Sequence, residues 1–176
     1  SYRHDFPGIP GDCAACHAPG AAVDHPYGVF LDRVTGANTA GVHCDFCHKV
    51  FEARIPAPGM PGVLSIELRR PSGTGRNVFF GPFDDSPREN DSYLPLQSRS
   101  RFSAPCHSHH SWGVPVYSSF PEWFESPYRS RGVECQNCHY APDGKVSNVA
   151  PDQPASPNRL PHRLPSHNQM GENRNA

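Results

Sequence analysis

The sequence predicts a chain that is mostly coil, with short α-helices, one small β-hairpin and a core that aliphatic side chains do not fill. Three counts support this prediction. Leu, Ile, Val and Phe make up about 18 % of the 176 residues, below the level of roughly 20 % at which disorder becomes the default. Proline and glycine contribute 21 and 15 residues, which favours turns over long regular elements. The chain also has 7 Cys and 11 His at a net charge of −1, whereas disordered chains usually carry strong net charge.

The cysteines follow one repeated pattern. Six of the 7 form C-x-x-C pairs, and a histidine follows each pair directly. C-x-x-C-H is the attachment motif of c-type haem, in which two thiols add to the vinyl groups and the adjacent imidazole becomes the proximal iron ligand. The sequence therefore predicts three covalent haem sites. Their thioether residues are Cys13, Cys16, Cys44, Cys47, Cys135 and Cys138, and their proximal iron ligands are His17, His48 and His139.

The seventh cysteine lies in a variant of the same motif. Residues 103–107 read Ser-Ala-Pro-Cys-His, with Ser103 in the position of the first cysteine. We expect a fourth haem here, attached by one thioether to Cys106 and ligated by His107. The alternative is a lost site with a free thiol.

Other cysteine chemistry fits the pattern less well. A zinc site would pair two C-x-x-C units, with no reason for a histidine after every pair. Thioredoxin-like chemistry needs one such motif near a βαβ pattern. A secreted disulfide framework rarely spaces its pairs so uniformly.

Histidines outside the motifs are candidates for the distal iron position. Four bis-His haems need four such residues, and seven are present. The ring of His43, which directly precedes Cys44, is expected to point toward another haem than its own. One of His109 and His110 is expected to serve a different haem and the other to lie at the surface. The candidate distal ligands are His4, His25, His43, His110, His162 and His167. Met60 lies in a turn-rich segment and is interpreted as a loop residue.

The chain divides into a domain and a tail. Residues 1–140 are predicted to form a tetrahaem domain, and residues 141–176, rich in Pro, Asn and Ser, an extended tail. Residues 51–102 contain neither Cys nor His and form a haem-free insert within the domain.

Two regular elements are predicted inside that domain. In the insert, the alternating residues 63–68 predict one strand of the hairpin, residues 71–75 a turn and residues 77–80 the returning strand. Residues 119–125 predict the clearest helix, with a serine cap, an early proline and an end near Pro127. The apolar side chains of this helix, Phe120, Trp123 and Phe124, are expected to pack on a porphyrin.

Charge and hydropathy exclude several classes of protein. An isoelectric point near 6.8 with interspersed charges gives no basic patch for nucleic acid. No stretch approaches the ~18 apolar residues of a membrane span. The first residues have no apolar core, so we expect the mature form of a chain from which a signal peptide was removed, located outside the cell or in the periplasm.

Several segments resemble recurring stretches of multihaem cytochromes. They are residues 41–50 (GVHCDFCHKV), 81–85 together with 103–107, 122–128, and 132–139. The resemblance is to the lineage of pentahaem nitrite reductases and hydroxylamine-oxidoreductase-like cytochromes, and in size to small tetrahaem subunits of extracellular cytochrome filaments (nanowires). It implies electron transfer between closely stacked haems. Nitrite reductases of this lineage use a lysine in place of one proximal histidine; neither Lys49 nor Lys145 occupies such a position, so that activity is not implied.

The leading functional hypothesis is a carrier with four c-type haems that exchanges electrons with redox partner proteins or extracellular acceptors. Polymerisation into a homo-oligomer or filament, with a terminal histidine ligating a haem of another subunit, is a narrower form of it. One alternative is a multihaem oxidoreductase with one open haem for a small nitrogen or sulfur substrate. A second alternative is an accessory cytochrome subunit of a membrane electron-transfer complex.

Overall fold

The computed structural model describes residues 8–70, 78–82 and 91–140. Within these ranges coil predominates and the longest α-helix has 7 residues. The α-helices are α1 (Ala14–His17), α2 (Pro19–Ala22), α3 (Cys44–Cys47), α4 (Ala104–His107), α5 (Ser119–Glu125), α6 (Pro127–Ser130) and α7 (Cys135–His139). Short 3₁₀ helices span Gly11–Cys13, Leu31–Arg33, Gly36–Ala40, Gly62–Ser65, Pro95–Ser98 and Ser100–Ser103. The prediction of short helices in a mostly coiled chain is confirmed.

The strands of the described ranges form three two-stranded sheets. Strand β1 (Val50–Ala53) pairs antiparallel with β2 (Ile66–Leu68). Strand β3 (Phe79–Gly81) pairs parallel with β4 (Asp91–Tyr93). Strand β5 (His109–Ser111) pairs antiparallel with β6 (Val114–Tyr117).

The predicted hairpin between residues 63–68 and 77–80 is wrong in its pairing. Gly62 has φ +56° and lies so close to the Ala15 carbonyl that a Cβ would collide with it. The segment after Gly62 therefore begins as a 3₁₀ turn, and only Ile66–Leu68 remains as strand. That strand pairs with β1 because Ile66 and Leu68 then pack on the buried cluster of Phe46, Val50 and Ala53. The predicted turn at residues 71–75 lies outside the described ranges.

A hairpin that the sequence did not predict follows the third motif. Strands β5 and β6 are joined by Trp112 and Gly113, which have φ +51° and +78°. Positive φ at both central residues is the geometry of a two-residue hairpin turn, and it is costly for a bulky side chain. The sequence lacked the usual Asn-Gly or Asp-Gly signal at this turn.

The predicted helix 119–125 is confirmed as α5, which ends at Glu125. A serine, Ser118, occupies the N-cap position. Its hydroxyl contacts the Glu122 carboxylate and does not bind a backbone amide as a capping serine usually does. Pro127 begins the next helix, α6, as proline favours the first helical turn.

The buried apolar core is small. One cluster of buried side chains consists of Ala14, Ala18, Ala22, Val29 and Leu31. A second consists of Phe46, Val50 and Ala53. Several larger aromatic side chains are exposed, including Tyr27, Phe30, Trp112, Tyr117, Phe124 and Tyr128. No helix in the described part of the chain is long and apolar enough to span a membrane.

Candidate functional site

Each of the four cysteine motifs forms a single helical turn. Helix α7 contains the whole fourth motif, whereas α1, α3 and α4 contain the first three motifs except for one end residue, which occupies a cap position: Cys13, His48 and Ser103. Because positions three and four apart share one face of a helix, each C-x-x-C-H turn can present its two thiols and its imidazole to one side. All seven cysteines are free thiols. The local geometry therefore suits attachment of one flat group along each turn.

The first and third motifs meet although they are about ninety residues apart in sequence. The neighbouring Cys106 thiol lowers the pKa of Cys16. The proximity of Cys16, then burial and the nearby Cys47, raises the pKa of Cys106 well above its ordinary value. The Cys16 Sγ also lies 4.0 Å from the carbonyl oxygen of Pro105. Cysteines of the first three motifs are thus neighbours, which spacing alone did not predict.

The second motif is held at its histidine. His48 Nδ1 lies 2.5 Å from the Phe80 carbonyl oxygen, and its ring stacks on Phe79 with a centroid distance of 4.1 Å and an interplanar angle of 14°. In the same motif, burial and then the charge of Cys44 raise the pKa of the Cys47 thiol to about 11. Strand β3 therefore supplies the surroundings of His48, the predicted proximal ligand of this motif.

The third motif carries its histidine against the unpredicted hairpin. The ring of Tyr117 meets His107 edge-on, with 5.0 Å between centroids. Desolvation, and after it the proximity of His139, lowers the pKa of His107. Ser103, in the position of the missing cysteine, precedes α4 and makes no side-chain cap hydrogen bond.

The fourth motif is held at its beginning by residues that sequence reasoning missed. The Glu134 carboxylate accepts a 2.8 Å hydrogen bond from the Ser100 amide and lies 3.3 Å from Arg99 Nη1. The Ser100 hydroxyl accepts a 2.8 Å bond from the Cys135 amide. Burial opposes ionisation of Glu134, but the bonds from Ser100 and the pairing with Arg99 outweigh it and lower its pKa. The Glu-x-x-Asn pattern of a helix start was the available signal, since the Asn137 side chain accepts from the Glu134 amide.

The candidate distal histidines are spread over the described ranges. His43 caps α3, with Nδ1 accepting from the Phe46 amide at 3.4 Å and Nε2 lying 2.9 Å from Asn38 Oδ1. Its ring adjoins Gly20, just after the first motif. His25 and His110 are exposed. His109 Nε2 lies 3.5 Å from an oxygen of Asp12, beside the first motif. The candidates His4, His162 and His167 lie outside the described ranges, as does the predicted tail.

The apolar side chains of α5 line a cavity of about 530 Å³. Phe120 is buried and packs on Trp123 and Phe124 at centroid distances of 5.6 and 6.1 Å. The remaining apolar lining comes from Phe51, Ile55, Leu94 and Leu96, and the charged lining from Glu52, Arg99, Arg101, Arg129 and Glu134. The expected contact of this helix face with a porphyrin stays a prediction.

Comparison with known proteins agrees with this geometry. The profile of the family described as "Cytochrome c554 and c-prime" matches residues 7–49, which contain the first two motifs. The penta-heme cytochrome c552 from Thermochromatium tepidum superposes with a TM-score of 0.59 at 22 % sequence identity, over 90 % of this chain and 42 % of that chain. The chain has a multihaem cytochrome c fold. It spans less than half the length of that structure. No curated protein sequence matches it significantly.

The residues of this multihaem cytochrome fold fit covalent haem. Thiolate addition and imidazole ligation require free Cys and His on one helical turn, and all four motif turns meet this requirement, the third with one cysteine. The small core and the exposed aromatic rings also suit a flat apolar group as packing partner. Among the described residues, no three His, Cys, Asp or Glu side chains cluster in a way that would hold a bare metal ion. Met60 is exposed in its loop, where the sequence placed it.

Proposed function

We propose that the protein is an electron carrier with four c-type haems, attached at Cys13/Cys16, Cys44/Cys47, Cys106 and Cys135/Cys138. The observation that supports the proposal is the meeting of two motifs distant in sequence, since Cys16 Sγ lies 4.0 Å from the carbonyl oxygen of Pro105, the residue before Cys106. Haem c, when bound, supplies reversible one-electron chemistry. This contact between the two motifs supports haems that would be attached close to one another.

The histidines have two roles in this proposal. His17, His48, His107 and His139 are the proximal ligands. The distal ligands come from His4, His25, His43, His110, His162 and His167, with His109 as a further member of the pool. Since the histidines outside the motifs outnumber the irons, ligation of every iron by two imidazoles is available, and all haems are expected to be low-spin.

The protein content per haem favours a carrier over an enzyme. The 176 residues divided among four haems leave 44 residues for each, which is little material for a substrate cavity as well. In the described ranges, the cavity beside α5 contains neither cysteine nor histidine among its lining residues. A low-spin spectrum without carbon monoxide binding is the expected result. A high-spin ferric band, or ready carbon monoxide binding, would favour the oxidoreductase alternative.

We propose a periplasmic or extracellular location, because c-type haem attachment and free carriers of this fold suit that setting.

Polymerisation into a homo-oligomer or filament is the narrower form of the proposal. The side chains of Trp112, Val114 and Val116 on the β5–β6 hairpin are exposed and offer apolar contact surface. Electron microscopy of the purified holoprotein tests for filaments, and a monomer with every iron six-coordinate would remove ligation between subunits. Co-purification with a membrane partner would instead support the accessory subunit.

The number of haems is tested by the intact mass of the denatured holoprotein. The expected mass is that of the chain plus four haems. The variant Cys106→Ala is expected to lose one haem, because its only thioether is removed. Ser103→Ala is the matched control, since it changes the same motif without removing a thiol, and it should keep all four. A wild-type mass with three haems would overturn the proposal at the third motif.

A further inference from the structure

The strand β3 surrounds one proximal histidine closely enough to assign it a task. We infer that Phe79 is a positioning residue that, together with the Phe80 carbonyl, fixes the plane of the His48 imidazole as an iron ligand. This inference rests on the proposed function, because it concerns how one haem ligand is held. Neither the motif nor its spacing pointed to residues 79–80, which lie in the predicted haem-free insert.

The backbone of Phe80 determines which ring nitrogen of His48 is available. The Phe80 amide donates to the His48 carbonyl at 2.8 Å, so strand and motif are joined at this residue. In return, His48 Nδ1 lies 2.5 Å from the Phe80 carbonyl oxygen. A carbonyl oxygen can only accept, so Nδ1 carries the proton and Nε2 keeps the lone pair. Nε2 is therefore the atom that this arrangement presents to an iron.

A single hydrogen bond still allows the ring to rotate about its axis, and Phe79 opposes that rotation. The two rings lie 4.1 Å apart and 14° from parallel, so turning the imidazole would drive it into the phenyl face. Hydrogen bond and stacking together leave one orientation. Residues that contact a ligating histidine in this way orient its ring and tune the properties of the metal that the histidine binds.

Phe79 is itself held in place from two directions. The Lys49 ammonium donates to the Val78 carbonyl and lies 5.5 Å from the Phe79 ring centroid. Lys49 is buried, with 4 % of its surface exposed. At the other end of β3, the Leu94 amide donates to the Gly81 carbonyl at 2.8 Å. Hydrogen bonds thus hold the backbone of β3 both before and after Phe79.

The test compares Phe79, which belongs to β3, with a phenylalanine that packs against that strand. Phe51 packs on Phe80 with 5.7 Å between ring centroids, as the matched aromatic neighbour of β3. In the oxidised holoprotein, Phe79→Leu is expected to shift the electron paramagnetic resonance g-values and the midpoint potential of a single low-spin haem. Phe79→Tyr should keep the wild-type values, and Phe51→Leu should leave the g-values and potential of that same haem unchanged, because Phe51 packs on Phe80, whereas the ring stacked on His48 is that of Phe79.

The outcomes separate this inference from the proposed function. An unchanged spectrum in Phe79→Leu, or the same shift in Phe51→Leu, overturns the positioning role. Loss of one haem from Phe79→Leu alone supports it, whereas loss from both variants overturns it. The mass of the denatured wild-type protein reports the proposed function independently. A correct haem count with no effect of Phe79→Leu leaves the carrier intact and rejects only the inference, and a wild-type chain without covalent haem rejects both.

Discussion

The second and fourth motifs form the same helical turn, but the rest of the chain holds them at opposite ends. At the second motif, contacts converge on the histidine, where strand β3 bonds and stacks on His48. At the fourth, they converge on the start of α7, where Glu134 and Ser100 bind the backbone around Cys135, while His139 is exposed. The motif thus determines what a site can bind, and its surroundings determine how firmly each ligand is oriented.

The largest expected effect on stability comes from removing the Glu134 carboxylate, which anchors the start of the fourth motif through Ser100. Glu134→Ala removes the acceptor of the Ser100 amide, and Ser100 is fully buried. An unpaired buried donor costs about 1–3 kcal/mol, so the free energy of unfolding should fall by about that amount. Denaturant unfolding of the holoprotein measures it. Glu122→Ala, at an exposed carboxylate of α5, is the control and should change stability by less than about 0.5 kcal/mol; equal losses would contradict an anchoring role.

The same anchor predicts a dependence on pH. The pKa of Glu134 is lowered in the folded protein from an ordinary value of 4.5. A lowered folded-state pKa stabilises the fold above the unfolded value, and this contribution disappears as the pH falls through the folded value. The stability difference between wild type and Glu134→Gln should therefore be constant above about pH 6 and shrink below pH 4.5. A difference that persists unchanged into acid would exclude the ionised carboxylate as its source.

The smallest expected effect on stability comes from the exposed ion pairs of Asp45 in the second motif. Asp45 lies 3.7 Å from Lys49 Nζ and 3.4 Å from Arg70, but its side chain is 54 % exposed. Exposed ion pairs contribute about 0–1 kcal/mol, so Asp45→Asn should lower the free energy of unfolding by only a few tenths of a kcal/mol. The electron paramagnetic resonance spectrum of this variant should match wild type, since the Phe80 carbonyl and the Phe79 ring contact the His48 ring and are unchanged in it. A loss as large as that of Glu134→Ala would show that charge, and not β3, holds this site.

Local sequence signals predicted some elements of the fold and missed others. Helix α5 was predicted because a proline, acidic residues and an apolar face within seven positions are local signals. The pairing of β2 with β1 was not, because it depends on the close packing of Gly62 against Ala15 and on the buried cluster around Phe46. The hairpin at Trp112 was missed because tryptophan occupies the first central position of the turn, where Asn, Asp or Gly is usual.

The sequence alone predicted the chemistry of the sites, because thioether attachment and iron ligation need particular atoms at fixed spacing within five residues. It also determined that aliphatic packing would be scarce, since composition bounds the core. Only the tertiary structure decided which sites are neighbours and what holds each one. The contact of Cys16 with Cys106, the hold of β3 on His48 and the bond of Glu134 to Ser100 each join residues more than thirty positions apart. Such contacts depend on how the whole chain packs, and no local pattern encodes them.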